Sequence, residues 1–374
     1  MDFGFTAEQE MLRDAARKFL ATAFPPAVAR AAMASPTAHD PARWQRLAGL
    51  GWLGILVPEE LGGQGGSFLD MAVVLEEIGK ALVPGPFFAS AVLGTVAVRE
   101  AGSPQQKQRI LPALARGEHV LTVAPGAADD APTALTSDDG APPALSADGD
   151  RVRGRARFVL DAHVADALVI AARAPGADDR RLVLVERGAV DIEVTPLQTV
   201  DMTRRLCTVE LRNVPCTPLG DAAVAATALR RVLDHACAGL ALELVGVGQR
   251  ALEMAVAYAN ERTQFGRPIG SFQAIKHKCV DMMVAVETAR SLAYYAAWAV
   301  SEDASDAGRA AAMAKAYCGE MAKTVTSEAI QVHGGIGFTW EHDLHLYYRR
   351  ALAADAAFGA APAHRETIVR ALVG

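Results

Sequence analysis

Much that would announce a function is missing from this chain of 374 residues. Basic charge is in short supply: 37 Lys and Arg stand against 43 Asp and Glu, a net −6, and no basic tail is present. That argues against a nucleic-acid binder working by phosphate neutralisation. Cysteine is scarce, with five residues at 207, 216, 237, 279 and 318 and no CxxC. An odd, scattered set reads as reduced thiols of a cytoplasmic protein rather than a disulfide framework or a zinc site, so no metal is expected. The start, MDFGFTAEQEMLRD, is acidic and has no apolar core, unlike a signal peptide. Residues 81–98 carry no charge, but Pro84-Gly85-Pro86 breaks them and leaves fewer than the ~20 apolar residues a membrane span needs. A turn and a buried helix are expected there. A P-loop and a GxSxG nucleophile elbow are also lacking.

Hydrophobic residues make up 51% and charged residues 21%, enough apolar content for a sizeable core. The length suits two or three domains. Aromatics are only 6%, and the chain is rich in alanine, the best helix former.

Three regions follow from the patterning. Residues 1–120 read as helices and loops. Thr6 and Gln9 form a capping-box start, the Pro25-Pro26 pair stops that helix, and VPEELGGQGGSFLD at 57–70 is a glycine-rich loop. Residues 121–220 form a β domain. Its first part, to 150, holds six aspartates after 128 among Ala, Pro and Gly and reads as a loop. After it, arginine fills every odd position from Arg151 to Arg157, and Cys207, Val209 and Leu211 alternate with polar residues. Leu182–Val185 is a short apolar run. These are strand signals. Residues 221–374 return to long helical segments with short connections, which implies an antiparallel four-helix bundle. The expected fold is therefore mainly α: an N-terminal helical domain, a middle β-barrel or sandwich, and a C-terminal bundle.

Two segments could carry chemistry. In Glu261-Arg262-Thr263-Gln264-Phe265-Gly266-Arg267-Pro268 a long helix ends, with Gly266 available as a left-handed cap and Pro268 blocking continuation. Two readings fit: a plain helix end, or a rigid corner offering a guanidinium and an aromatic ring to a ligand such as a pyrophosphate. In Gln331-Val332-His333-Gly334-Gly335-Ile336-Gly337 glycines near a helix end permit positive φ and close approach of a flat or phosphorylated ligand, though a simple helix termination explains them too.

In this order, after a β domain, "RTQFGRPIGSFQ" and "AIQVHGGIGFTWEHDLHLYYRR", together with the VPEELGGQGGS loop, resemble the acyl-CoA dehydrogenase family over essentially the whole chain. The resemblance implies a dimer or dimer of dimers binding FAD. Arg262, Gln264 and Phe265 would reach the FAD of the neighbouring subunit, and Gln331, Gly334 and Gly335 would line its adenosine-pyrophosphate portion. It also implies α,β-dehydrogenation of an acyl-CoA thioester. A carboxylate of raised pKa removes the α proton, the β hydrogen leaves as hydride, and electrons pass to an electron-transfer flavoprotein.

The sequence departs from that pattern where the base should be. At the family's Glu-Gly pair stand Phe358-Gly359, and at the other known location stands Ala236. Nearby, Asp355, Asp234, His235 and Glu243 are weak candidates, Glu243 lying about 10 Å further along the helix from Ala236. No catalytic residue is therefore assigned. The flavin-contacting loop of the family corresponds to Thr122–Asp129 with altered acidic and serine positions, and its Trp-Ile-Thr segment appears as Phe158-Val159-Leu160. These losses are similar to the small, pimeloyl-CoA dehydrogenase-like subunits of heteromeric members, whose partner keeps the base. The expectation is an FAD-dependent acyl-CoA dehydrogenase acting as one half of a heteromer. Its alternatives are a non-catalytic subunit completing a partner's FAD site, and a flavin monooxygenase or oxidase on the same fold.

Other features read as ordinary structure. The arginine row is a solvated strand face, with a landing strip for CoA phosphates as its alternative. His342-Asp343-x-His345 has ligand-like types but no third imidazole beside it. Met282-Met283 and Tyr294, Tyr295 and Trp298 belong to bundle packing.

Overall fold

The computed structural model describes residues 4–125, 145–173 and 180–373. The loop expected between 121 and 150 thus lies largely outside the described residues. Its ends do not fit that expectation, because residues 121–124 and 146–148 are strands.

Six helices come first: α1 (Ala7–Ala23), α2 (Pro26–Ala34), α3 (Pro41–Gly49), α4 (Phe68–Ala81), α5 (Thr95–Ala101) and α6 (Pro104–Ala115). Local sequence sets their starts. Thr6 and Gln9 form the expected reciprocal capping box on α1, and Ser103 and Gln106 form another on α6, with Pro104 at its first turn. The uncharged stretch after Pro86 is a buried π-helical segment, Phe88–Gly94, running into α5.

Eight strands follow: β1 (Leu121–Ala124), β2 (Ser146–Asp148), β3 (Arg151–Leu160), β4 (Ala167–Arg173), β5 (Arg180–Glu186), β6 (Ile192–Pro196), β7 (Leu206–Pro215) and β8 (Thr217–Pro218). They form one sheet in the order β6-β7-β3-β2-β4-β5-β8, with β1 parallel to β4. The period of two holds in β3 only to Ala156. A bulge between Ala156 and Val159 shifts the register against β7, and Phe158 sits there at φ 59°. β4 does not alternate: six consecutive residues from Ala167 are buried, as in a strand covered on both faces. Arg151, Arg153 and Arg155 of the arginine row face outward, with Arg155 against Glu210 of β7 at 3.5 Å, whereas Arg157, within the bulge, is half-buried over the Phe158 ring at 5.2 Å.

The C-terminal helices are α7 (Ala222–Glu261), α8 (Gln273–Ser301), α9 (Ala307–His333), α10 (Leu344–Ala356) and α11 (Ala361–Val373). Between α7 and α8 a two-stranded hairpin, β9 (Thr263–Gln264) and β10 (Arg267–Pro268), takes the place of a simple helix cap.

By internal contacts the chain divides into two units. One comprises residues up to 29, 72–83 and 237 onward; the other comprises 30–71 and 84–236. In the first, α4 lies directly on α7. A Cβ on Gly246 would stand 2.0 Å from the Glu76 carbonyl oxygen, so only glycine permits this crossing. Charge flanks it: Glu76 accepts from Arg290 at 3.1 Å and from the Tyr294 hydroxyl at 2.9 Å, and Lys80 pairs with Glu253 at 2.5 Å. In the second unit, the apolar faces of the sheet enclose a core that includes Val152, Leu168, Ile170, Val185, Val209 and Val214. The five cysteines form no disulfide with one another, and four of them are buried.

Candidate functional site

The site begins where α7 ends. Its last turn passes straight into the hairpin: the Arg262 amide donates to Tyr258 O and the Ile269 amide donates to Arg262 O, both at 2.8 Å. Phe265 and Gly266 form the tip at φ 51° and 75°. Two consecutive positive φ angles make a type I′ turn, the two-residue connection whose twist suits a hairpin. Gly266 thus has the left-handed backbone expected of it, but as a turn residue and not as a helix cap. Arg262, Gln264 and Phe265 are all exposed, Phe265 by 92%. Its ring meets only the edge of Phe272 at 6.1 Å, and the Arg267 guanidinium lies over Phe272 at 4.1 Å. Among the described residues the Arg262 guanidinium makes no ion pair or hydrogen bond.

The second segment ends α9. Gln331 is exposed on its last turn. Gly334 has φ 64° and ψ −144°, a conformation open to glycine alone. Gly335 has no such constraint, and a Cβ on either residue would meet nothing within 4 Å. Gly337 differs: a Cβ there would press on His333 Cβ at 2.8 Å. The two segments adjoin. Tyr258, one turn before Arg262, stacks on His333 with centroids 4.5 Å apart and planes 22° apart. A free cation, two exposed amides and an open glycine backbone therefore share one corner. That donor set fits an anionic dinucleotide, and the open space over Gly334 and Gly335 admits close approach.

At the two positions where the resemblance leads one to expect a base stand Phe358 and Ala236. Phe358 is half-buried at φ 54°, and Ala236 is fully buried. Asp355 is buried, with Oδ2 on Lys323 Nζ at 2.6 Å and Oδ1 against the Cα of Gly319, where a Cβ would come within 2.2 Å. Glu243 is fully buried in mid-helix, and Asp234 is half-buried. His235 is buried and held neutral. It donates from Nδ1 to Arg231 O at 2.7 Å, its Nε2 lies 3.4 Å from Arg99, and Phe68 packs edge-on at 4.7 Å. Burial, then the Arg99 charge, brings its pKa down to about 4.

What the sequence hid is the buried lysine beneath the Phe358 turn. Lys315 is fully enclosed and donates to Asp355 O at 2.8 Å and Gly359 O at 3.0 Å, while His364 Nε2 donates to Gly359 O at 3.1 Å. The signal for Lys315 is its position among the small residues of AAAMAKAYCG.

In the sheet, the two segments matched to flavin-contacting loops meet: Thr122 Oγ1 donates to Leu160 O at 2.6 Å. Residues 126–129 of the first lie outside the described residues. His342 and His345 serve locally. His342 Nδ1 accepts from the Leu344 amide at 3.2 Å, and His345 stacks on Trp340 at 4.7 Å. Among the described residues no cluster of three or more potential metal ligands occurs, and no helix is long and apolar enough to cross a membrane.

Residues 6–118 match the family model of the acyl-CoA dehydrogenase N-terminal domain, and residues 226–373 match that of the C-terminal domain. The chain belongs to the acyl-CoA dehydrogenase family. Its members are FAD-dependent oxidoreductases acting on CH–CH donors. Acyl-CoA dehydrogenase IpdE2 of Mycolicibacterium smegmatis is 35% identical over 355 residues, 94% of each chain. Among solved structures, the ChsE4-ChsE5 complex from Mycobacterium tuberculosis superposes with a TM-score of 0.89 at 28% identity, over 100% of this chain and 99% of that one. A variant of the Tcur3481-Tcur3483 steroid ACAD gives 0.87 at 29% identity, over 98% of each chain.

Proposed function

We propose that this chain is one subunit of a heteromeric acyl-CoA dehydrogenase, where it grips FAD while a homologous subunit supplies the base. One observation carries the reading: Arg262, Gln264, Gln331 and the Gly334-Gly335 backbone share one exposed corner, while Phe358 and Ala236 stand where the resemblance would put a base. Two-chain relatives support it, since the ChsE4-ChsE5 complex shares the fold over the full chain.

The chemistry FAD would supply when bound is an acceptor for the β hydrogen and its electron pair removed from the thioester. Around it, Arg262 supplies fixed positive charge to the pyrophosphate, and Gln264 and Gln331 offer amide hydrogen bonds. Gly334 and Gly335 let the backbone approach, and Phe265 covers an apolar face of the neighbouring subunit's site. Asp355 does not act as a base in this scheme, because its buried Oδ2 is engaged by Lys323 Nζ at 2.6 Å. Electrons leave to an electron-transfer flavoprotein. Domains 1–120, 121–220 and 221–374 divide this work into helical, β and bundle parts, and unpaired cysteines throughout suit the cytoplasm.

The test is an anaerobic titration with acyl-CoAs, from short chains to steroid-bearing thioesters, following flavin absorbance. The chain is used alone and co-purified with a homologue that carries the Glu. Bleaching only in the mixture is expected. Bleaching by the chain alone, or substrate-dependent oxygen uptake by it, would overturn the reading.

A further inference from the structure

The search for a base leaves one group of side chains without a role: the rings at the root of the corner. His333 is 5% exposed, and four features fix it. Its Nδ1–H donates to Ala329 O at 2.7 Å. Tyr258 stacks on it at 4.5 Å, His342 makes a tilted contact at 4.6 Å, and Gly337 lies against its Cβ. Tyr258 and His333 each lead to one half of the corner. Tyr258 O receives the Arg262 amide, which places the hairpin, and Gly270 closes the hairpin's far side on Ala259 O, where a Cβ would come within 3.0 Å. His333 itself is followed by Gly334.

We propose that Tyr258 and His333 are positioning residues that lock the Arg262 hairpin and the Gly334-Gly335 backbone into a single corner, so that cation and amides converge on one ligand. This rests on reading the corner as part of the FAD site. The glycine pattern follows from it. Gly334 is needed for its backbone angles, Gly337 for close packing on the locked imidazole, and Gly335 for access from outside the chain. An arginine on a hairpin and a glycine turn on another helix lose binding strength if they move independently, because each must then be ordered when the ligand arrives.

The experiment strips FAD from the purified assembly and measures its rebinding by flavin fluorescence, alongside hydrogen exchange of the 262–269 amides and the melting temperature. Tyr258→Leu and His333→Leu are expected to weaken FAD binding at least tenfold and to speed exchange at Arg262 and Ile269. Tyr258→Phe, which keeps the stack, should stay within twofold of wild type. Arg262→Ala serves as the control for the underlying reading. If Arg262→Ala releases FAD while Tyr258→Leu binds it normally, the lock is overturned and the FAD corner stands. If neither change affects FAD binding, the corner itself is misread. Loss in Tyr258→Leu with equal loss in Tyr258→Phe would also refute the stacking role. Because Tyr258 is only half-buried, its variants keep the test valid should the His333 variant fail to fold.

Discussion

Gly79 and Glu243 touch through their backbones: a Cβ on the glycine would lie 2.1 Å from the glutamate's carbonyl oxygen. With Gly246 lying on Glu76 O in the same manner, the crossing of α4 and α7 leaves no room for a methyl group on either side. Gly246→Ala must force the helices apart. A loss of about 3 kcal/mol, the upper end of ordinary overpacking, is expected. A denaturant melt checks it, and a variant within 0.5 kcal/mol of wild type would mean that the helices can slide apart freely.

Lys315 should prove structural. Lys315→Met removes the donors to Asp355 O and Gly359 O but leaves the Lys323–Asp355 pair intact, so no buried carboxylate is orphaned. Relief of the lysine's own burial offsets part of the loss. A net destabilisation of about 2 kcal/mol is expected, with faster amide exchange confined to 355–360. Unchanged exchange there would show that something else holds the turn.

Acid should loosen both units through their buried histidines. His235 is pushed down to about 4 by burial and Arg99, and His364 to about 4 by burial and Lys315. In the unfolded chain each titrates near its ordinary value of 6.5. The unfolded state therefore binds more protons between these values. Stability is complete above pH ~6.5 and declines as pH falls to ~4, by at most about 3 kcal/mol per residue. His364→Gln should flatten part of that decline in melts from pH 7 to 4. Parallel curves for variant and wild type would contradict the assignment.

Phe265→Ala should separate folding from assembly. The ring is almost wholly in water, so stability should stay within about 0.5 kcal/mol. FAD retention or association with the second subunit should fall about tenfold. Loss of stability together with retained assembly would reverse the interpretation.

Phe358→Glu places a carboxylate at the family's base position on a turn already held by Lys315 and His364. The expected outcome is acyl-CoA-dependent flavin bleaching that the parent chain lacks when alone. Bleaching equal to that of the parent would indicate that the missing base is not what silences this subunit.

The long helices were legible because length and periodicity agree: the long segments expected from 221 onward are α7, α8 and α9 with short connections between them. The capping box of Thr6 and Gln9 was legible for the same reason, being local chemistry at fixed spacing, whereas that of Ser103 and Gln106 went unread. The hairpin at 263–268 was not. Phe-Gly is a poor signature for a type I′ turn, which favours Asn-Gly, and Pro268 reads naturally as a helix stop. The bulge at Phe158 and the doubly buried β4 depend on neighbouring strands, which periodicity within one strand does not report. Arg262 and Gly334 stand out as motif residues, but their adjacency runs through Tyr258 and His333, whose pairing no short window contains. Lys315 was hidden by the general rule that lysines face water.

The tip of the hairpin has a consequence for how the protein is made. A benzyl group held 92% exposed on a left-handed backbone gains little from its own polypeptide beyond the edge of Phe272. If its seat lies on the proposed second subunit, a cell or an expression host that overproduces this chain leaves a greasy knuckle uncovered. Soluble yield will therefore follow the supply of its mate more closely than the intrinsic sturdiness of the fold.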